Sequence, residues 1–208
     1  MDIQYFGANC VVINTGTARI VIDDNLADLG GKSVTKAGDV VLFTGPHGLP
    51  PQDVKLTVDM PGEYEASDVS IYGIQARAHL DEDKIKTATM YKLIAKDLRI
   101  LITGHVYPKF KESDLEKIGT VDVMIVPVGG NGYTLDPIGA LEMIKEIEPK
   151  LIVPTHYADD KLNYPMPSQT LEQALQGLGM EPKDRVTKLK LKSGDLADTT
   201  QLVVVEKA

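Results

Sequence analysis

Short apolar runs separated by turn residues fill the first half of this chain. MDIQYF, CVVIN, ARIVID, VVLF, KLTVD, VSIYGI, TMYKLIA and LRILIT, spread over residues 1 to about 105, each have the length of an ordinary strand. The polar links Asn14 to Thr17 and Lys96-Asp97 are of hairpin length, so the pattern predicts neighbouring strands paired antiparallel, a meander without crossover helices. Beyond residue 105 the period changes. The apolar runs VDVMIVPV and KLIVPTHY alternate with segments of helical spacing, as βαβ-type units require.

Three helices are predicted in that second half. Ser113-Asp114-Leu115-Glu116 fits a capping box, with Gly119 placed to end the short helix after it. Asp136 caps a second helix with Pro137 in its first turn, Ile138, Leu141, Ile144 and Ile147 form its buried face, and Pro149 stops it. A third helix is expected from Ser168, burying Leu171, Ala174, Leu175 and Leu178 before Gly179. VTKLKLK and QLVVVEKA read as closing strands.

A chain of 208 residues, 43% of them hydrophobic, can bury a sizeable core, and one α/β domain over 1–208 is the simplest organisation. A formal charge of −8 gives no general attraction to nucleic acid or anionic membrane, although a local basic patch is compatible with it, and a small-molecule substrate is the expected partner. The single cysteine, Cys10, forbids an intrachain disulfide, suits a reducing compartment, and reads as a small buried hydrophobe. MDIQYFGANC lacks the basic and apolar regions of a secretory signal, and no apolar run reaches the roughly 18 residues of a membrane span, so a cytoplasmic location is expected.

The candidate chemistry lies in four histidines. His47, His79, His105 and His156 each follow an apolar, strand-like segment, where rigid scaffolds place binding groups. They stand 32, 26 and 51 residues apart, which rules out a helix-borne HExxH arrangement, and one cysteine rules out a Cys-based zinc finger. If the sheets pack face to face the imidazoles can converge on one ion. Glu63 and Asp81 are weaker candidates for proton transfer, Gly129 to Gly132 for contact with an anionic group, and Tyr107, Tyr133 and Tyr157 for lining a pocket.

Several blocks carry a family resemblance: IQYFGANCVVI, IVIDDNL, PGEYEASDVSIYGIQARAHLD, VDVMIVPVGGNGYTLDPIGALEMIKEIEPK and LIVPTHY. With them the chain resembles the metallo-β-lactamase superfamily over nearly its whole length, particularly small metal-dependent hydrolases of the L-ascorbate-6-phosphate lactonase-like branch. The resemblance implies an α/β fold, a four-layer αββα sandwich. It places the family's T-H-x-H-x-D-H motif on Thr44 to Pro50, where only Thr44 and His47 are kept and Gly45, Leu49 and Pro50 replace donors. The family's later metal-binding histidines fall on His79 and His156, its bridging aspartate on His105, and a second-shell aspartate on Asp23.

Gly, Leu and Pro offer no side-chain lone pair, so the implied site is depleted and mononuclear rather than two-metal. His47, His79, His105 and His156 are the metal-ligand set of this reading, one divalent ion with zinc first among copper, nickel and iron is the implied cofactor, and Asp23 orients an imidazole. The implied activity is hydrolysis of an ester, lactone, amide or phosphoester; the rivals are a non-catalytic binding module that keeps the fold and a metal-free general acid/base site formed by the histidines. No side chain is assigned as a catalytic residue, and neither substrate nor oligomeric state is indicated.

Overall fold

The structure is a computed structural model that describes residues 1–49, 52–130, 132 and 134–208. Its fourteen strands are β1 (Asp2–Gly7), β2 (Cys10–Asn14), β3 (Arg19–Ile22), β4 (Val40–Leu42), β5 (Leu56–Val58), β6 (Gly62–Ala66), β7 (Val69–Ala76), β8 (Ala88–Ala95), β9 (Leu98–Ile102), β10 (Val123–Pro127), β11 (Leu151–Thr155), β12 (Asp184–Val186), β13 (Leu189–Lys190) and β14 (Gln201–Val205). The α-helices are α1 (Glu112–Ile118), α2 (Pro137–Ile147) and α3 (Leu171–Leu178).

Strand alternation builds the layers. In β2, Val11 and Ile13 join one core and Cys10 and Val12 another; in β10, Val123 and Ile125 separate in the same way from Met124 and Val126. The strands form a six-stranded sheet, β13-β1-β2-β3-β4-β5, and an eight-stranded sheet, β12-β14-β11-β10-β9-β8-β7-β6. Side chains from both sheets, from Ile3 to Val205, fill the core between them. The opposite face of the larger sheet is covered by all three α-helices. On the outer face of the smaller sheet, Leu26 and Leu162, beside the 3-10 turn Ala27–Leu29, cover Val12, Val21 and Val41. Cys10 is fully buried there, as its composition-based reading has it.

The predicted strands form, with two differences. β6 is not among the predicted strands; it pairs antiparallel with β7, Glu63 opposite Tyr72. The meander is interrupted, because β3 pairs parallel with β4 and β4 with β5, the chain crossing from β3 through the 3-10 turn. β10 and β11 are parallel to β9, as βαβ connections demand.

The helix boundaries shift for identifiable reasons. α1 starts with Lys111 rather than Ser113 as N-cap; a lysine side chain cannot accept, so the first turn is held by the Asp114 carboxylate accepting from Lys111 N at 3.4 Å. α3 starts after Thr170, whose hydroxyl accepts from Gln173 N while Gln173 Oε1 accepts from Thr170 N. Ser168 is excluded because Gln169 is tied by its N–H to Gly129 O and by its carbonyl to Ala158 N. Asp136 caps α2 as predicted, through Gly139 N at 2.7 Å, but Ile138 is 65% exposed; the face turned to the sheet carries Ala140, Met143, Ile144 and Ile147. Gly179 closes α3 in the left-handed conformation, φ 63°. Among the described residues no helix is long and apolar enough to cross a membrane.

Candidate metal site

β7 and β9 are both antiparallel to β8, and β9, β10 and β11 are mutually parallel, so β7, β9 and β11 end along one edge of the larger sheet. His79, His105 and His156 follow those ends. Asp23 and Thr44 follow β3 and β4, which run parallel in the smaller sheet. Both groups line one cavity of about 350 Å³, together with Asn9, Pro46, Asp81 and Tyr164. Such a crevice beyond strand C-termini is where open α/β sheets place ligands.

Local constraints hold these residues in place. His79 N donates to His105 O at 2.7 Å and Ala78 bridges Val106, so the two histidine-bearing loops are stitched together. His105 and His156 meet edge to face with ring centroids 4.7 Å apart. His105 Nδ1 pairs with Thr134 Oγ1 at 2.7 Å. The Tyr164 ring stacks on His156 at 4.7 Å and 18°, and its hydroxyl accepts from Ala8 N. Ala8, Asp23 and His156 all adopt positive φ near 50°, strained backbone gathered at one cavity. His156 N donates to Ala8 O, and a Cβ on Gly129 would lie 2.0 Å from His156 O, so only glycine permits that approach.

Burial sets the protonation states. Desolvation, reinforced by the neighbouring His156 and His79, pushes His105 down to about 3; desolvation pushes His156 down to about 4 and lowers His79 as well. All three imidazoles are therefore neutral at pH 7, the form that ligates metals. Asp23 is raised to about 6 by burial, against the hydrogen bonds from Thr44 that favour its ionised form.

The remaining expected site residues take other positions or roles. His47 does not line the cavity: its ring stacks on Phe43 at 3.8 Å, with Nδ1 2.7 Å from Gly48 O and Nε2 3.3 Å from Asp59 Oδ2. Asp23 engages Thr44 rather than an imidazole, accepting from its N at 2.7 Å and its Oγ1 at 2.6 Å. Gly45 lines the cavity, and a Cβ added there would meet nothing within 4 Å, whereas Leu49 is 97% exposed. Pro50, Asn131 and Tyr133 lie outside the described residues. Asp81 organises its loop by accepting from Ala78 N, Thr87 N and Thr87 Oγ1. Glu63 is exposed on β6, Tyr157 packs against Tyr5, and Gly130 N is taken by Leu135 O. Sequence reasoning misses Asn9, Thr134 and Tyr164 as site residues; a threonine or tyrosine in a polar loop carries no pattern that could mark it, and Asn9 has only its place beside the first apolar strands.

Two packed sheets with histidines and a buried aspartate at their strand ends define the metallo-β-lactamase architecture. Residues 2–156 match the family model described as the β-lactamase superfamily domain, and the chain belongs to that superfamily. A 47-residue stretch is 43% identical to the UPF0173 metal-dependent hydrolase of Thermoplasma acidophilum, covering 21% of this chain and 20% of that protein. The match thus spans about a fifth of the relative's length. Among solved structures, a Thermotoga maritima protein assigned as a Zn-dependent hydrolase of the metallo-β-lactamase superfamily superposes with a TM-score of 0.72 at 23% identity, covering 98% of both chains. A metallo hydrolase from Ignicoccus hospitalis superposes at 0.61 with 18% identity, covering 99% of this chain and 94% of that one. These likenesses show the fold.

A metal is tested here by donor chemistry. His79 Nδ1 is buried without a hydrogen-bond partner among the described residues, an arrangement that costs free energy unless something fills the place. Three neutral imidazoles on one cavity wall suit a single borderline ion; two ions would need further donors, which Gly45 and Leu49 do not offer. As the side chains stand, no group of three or more His, Cys, Asp or Glu among the described residues is set to hold an ion. The donor types fit, and the coordinating geometry is not preformed.

Proposed function

We propose that this chain is a metal-dependent hydrolase of the lactonase-like branch, using one divalent ion, zinc first, held by His79, His105 and His156, with His47 outside the ligand set. The observation carrying this reading is the delivery of three neutral imidazoles, His156 buried and His79 and His105 half-buried, from three strand ends to one cavity. The names of its relatives, metal-dependent and Zn-dependent hydrolases, agree with it. The single cysteine supports a reducing, cytoplasmic setting.

Bound there, the ion supplies Lewis acidity that makes water nucleophilic near neutral pH. The chain's own residues orient and enclose. Thr134 engages His105 Nδ1, and Tyr164 stacks on the His156 ring. Asp23 and Thr44 brace the opposite wall. Leu29, Pro46, Leu80 and Pro165 make much of the lining apolar, which suits a substrate presenting an apolar group beside its ester, lactone, amide or phosphoester bond.

The test is hydrolysis of an ester, lactone and phosphodiester panel by zinc-loaded and chelator-treated protein, with zinc content measured on each sample. Turnover that requires zinc and disappears in His79→Ala and His156→Ala, but persists in His47→Ala, is the expected result. A second reading, a binding module that has kept the sandwich without the chemistry, is favoured by the loop after β4, where Gly45 and Leu49 offer no side-chain donor. Zinc-loaded protein inert across the panel would select it.

A further inference from the structure

Beside the histidine cavity lies a second cleft of about 220 Å³, walled by the end of β7 before His79, the loop after His79 that leads into β8, and the segment that runs from His105 into α1. Five cations line it, Arg77, Lys84, Lys86, Lys109 and Lys111, against two carboxylates, Asp83 and Asp114, in a chain whose net charge is −8. The carboxylates are already engaged: Lys86 Nζ lies 3.1 Å from Asp114 Oδ1, and Arg77 Nη1 3.5 Å from Asp83 Oδ1. Lys84, Lys109 and Lys111 have no ion-pair partner among the described residues. Gathering three uncompensated ammonium groups around one concavity raises their mutual repulsion, which an entering anion relieves.

The floor of the cleft is apolar and aromatic. Arg77 Cζ sits 4.0 Å above the centre of the Tyr107 ring, Arg77 Nε and Nη2 donate to Asp81 O at 3.0 and 2.8 Å, and Phe110, Ile85 and Met90 complete the lining. Arg77 is thus fixed as a platform, and the three lysines supply exposed cationic arms. We infer that this cleft binds a small organic phosphate, its phosphate held by Lys84, Lys109 and Lys111 and its ring or chain laid against Tyr107 and Phe110. The overall negative charge and the small volume favour a compact ligand over a nucleic acid strand.

The probe is phenylphosphonate, which no hydrolase can cleave at its P–C bond by ester hydrolysis, titrated calorimetrically into chelator-treated, dialysed protein at low salt so that no ion in the histidine cavity carries the anion. The expected result is binding of one equivalent that weakens with added salt, is at least tenfold weaker in the double variant Lys84→Glu, Lys109→Glu, and is unchanged in His79→Ala; benzyl alcohol, matched in its ring but uncharged, does not bind. Absence of binding into the millimolar range overturns the inference. So does binding that survives the double charge reversal but is lost in His79→Ala, which places the anion in the other cavity, or tighter binding of a single-stranded RNA oligomer abolished by the same reversal, which makes the cleft a nucleic-acid surface. Circular dichroism of the double variant, whose changed side chains are exposed, confirms that it is folded.

Discussion

At the scale of single residues, the proposed site differs by subtraction from the motif that the sequence resembles. Gly45 faces the cavity with open space where a side chain would stand, and its backbone is not in the left-handed region. The Cβ of Gly45→His therefore meets no neighbouring atom. On the proposed ligand set this substitution should tighten zinc binding at least tenfold, measured by competition with a chromogenic chelator; unchanged or weaker affinity would mean that the ion does not sit beside residue 45. Asp23 offers a test of the opposite wall. Its folded-state pKa of about 6 stands above the ordinary 3.8, so the folded chain keeps a proton that the unfolded chain has released, and stability from this group is lost as pH rises through that interval. In metal-stripped protein, Asp23→Asn should gain about 1 kcal/mol relative to the parent between pH 5 and pH 7, because the difference cancels the shared histidines. Urea denaturation at both values checks it; a difference independent of pH would contradict the raised carboxyl.

At the scale of elements, what is legible in the sequence follows from local rules and what is not follows from tertiary demands. Asp136 and Gly179 mark helix ends by chemistry confined to one turn, and both act as the pattern predicts. The register of α2 is harder to read because Ile138 looks like a core residue in isolation, whereas the rotation that seats Ala140 and Met143 on the sheet leaves Ile138 in solvent. β6 escapes detection because in Gly62–Ala66 only Ala66 is buried, so no apolar alternation announces it. The parallel pairing of β3, β4 and β5 has no sequence signal when the connection is irregular rather than helical. The strand-end placement of His79, His105 and His156 is readable because apolar strands stop visibly; the departure of His47 is not, since it depends on Phe43 and Asp59 meeting its ring. One junction between elements should be intolerant of change. Gly129→Ala brings a methyl against His156 O, at a backbone that cannot retreat without moving β11, and should cost more than about 2 kcal/mol in thermal or chemical unfolding. A neutral effect would show that the turn after β10 relaxes freely.

At the scale of the whole molecule, two sheets share one core and a third layer of helices steadies the sheet that carries the histidines. That division is compatible with the proposed site, in which one sheet supplies fewer donors than the other. The smaller sheet supplies Asp23, Thr44 and the open position at Gly45, while His79, His105 and His156 rest on the larger, helix-backed sheet. On the proposed reading, the loop after β4 offers fewer donors on one wall while the packing of both sheets is kept. The most direct examination of this account is X-ray absorption at the zinc edge of the loaded protein, which counts the imidazoles around the ion. Three imidazole nitrogens at about 2.0–2.1 Å, falling to two in His105→Ala and unchanged in His47→Ala, is the predicted result. Four imidazoles, with one lost in His47→Ala, or protein that takes up no zinc, would contradict it.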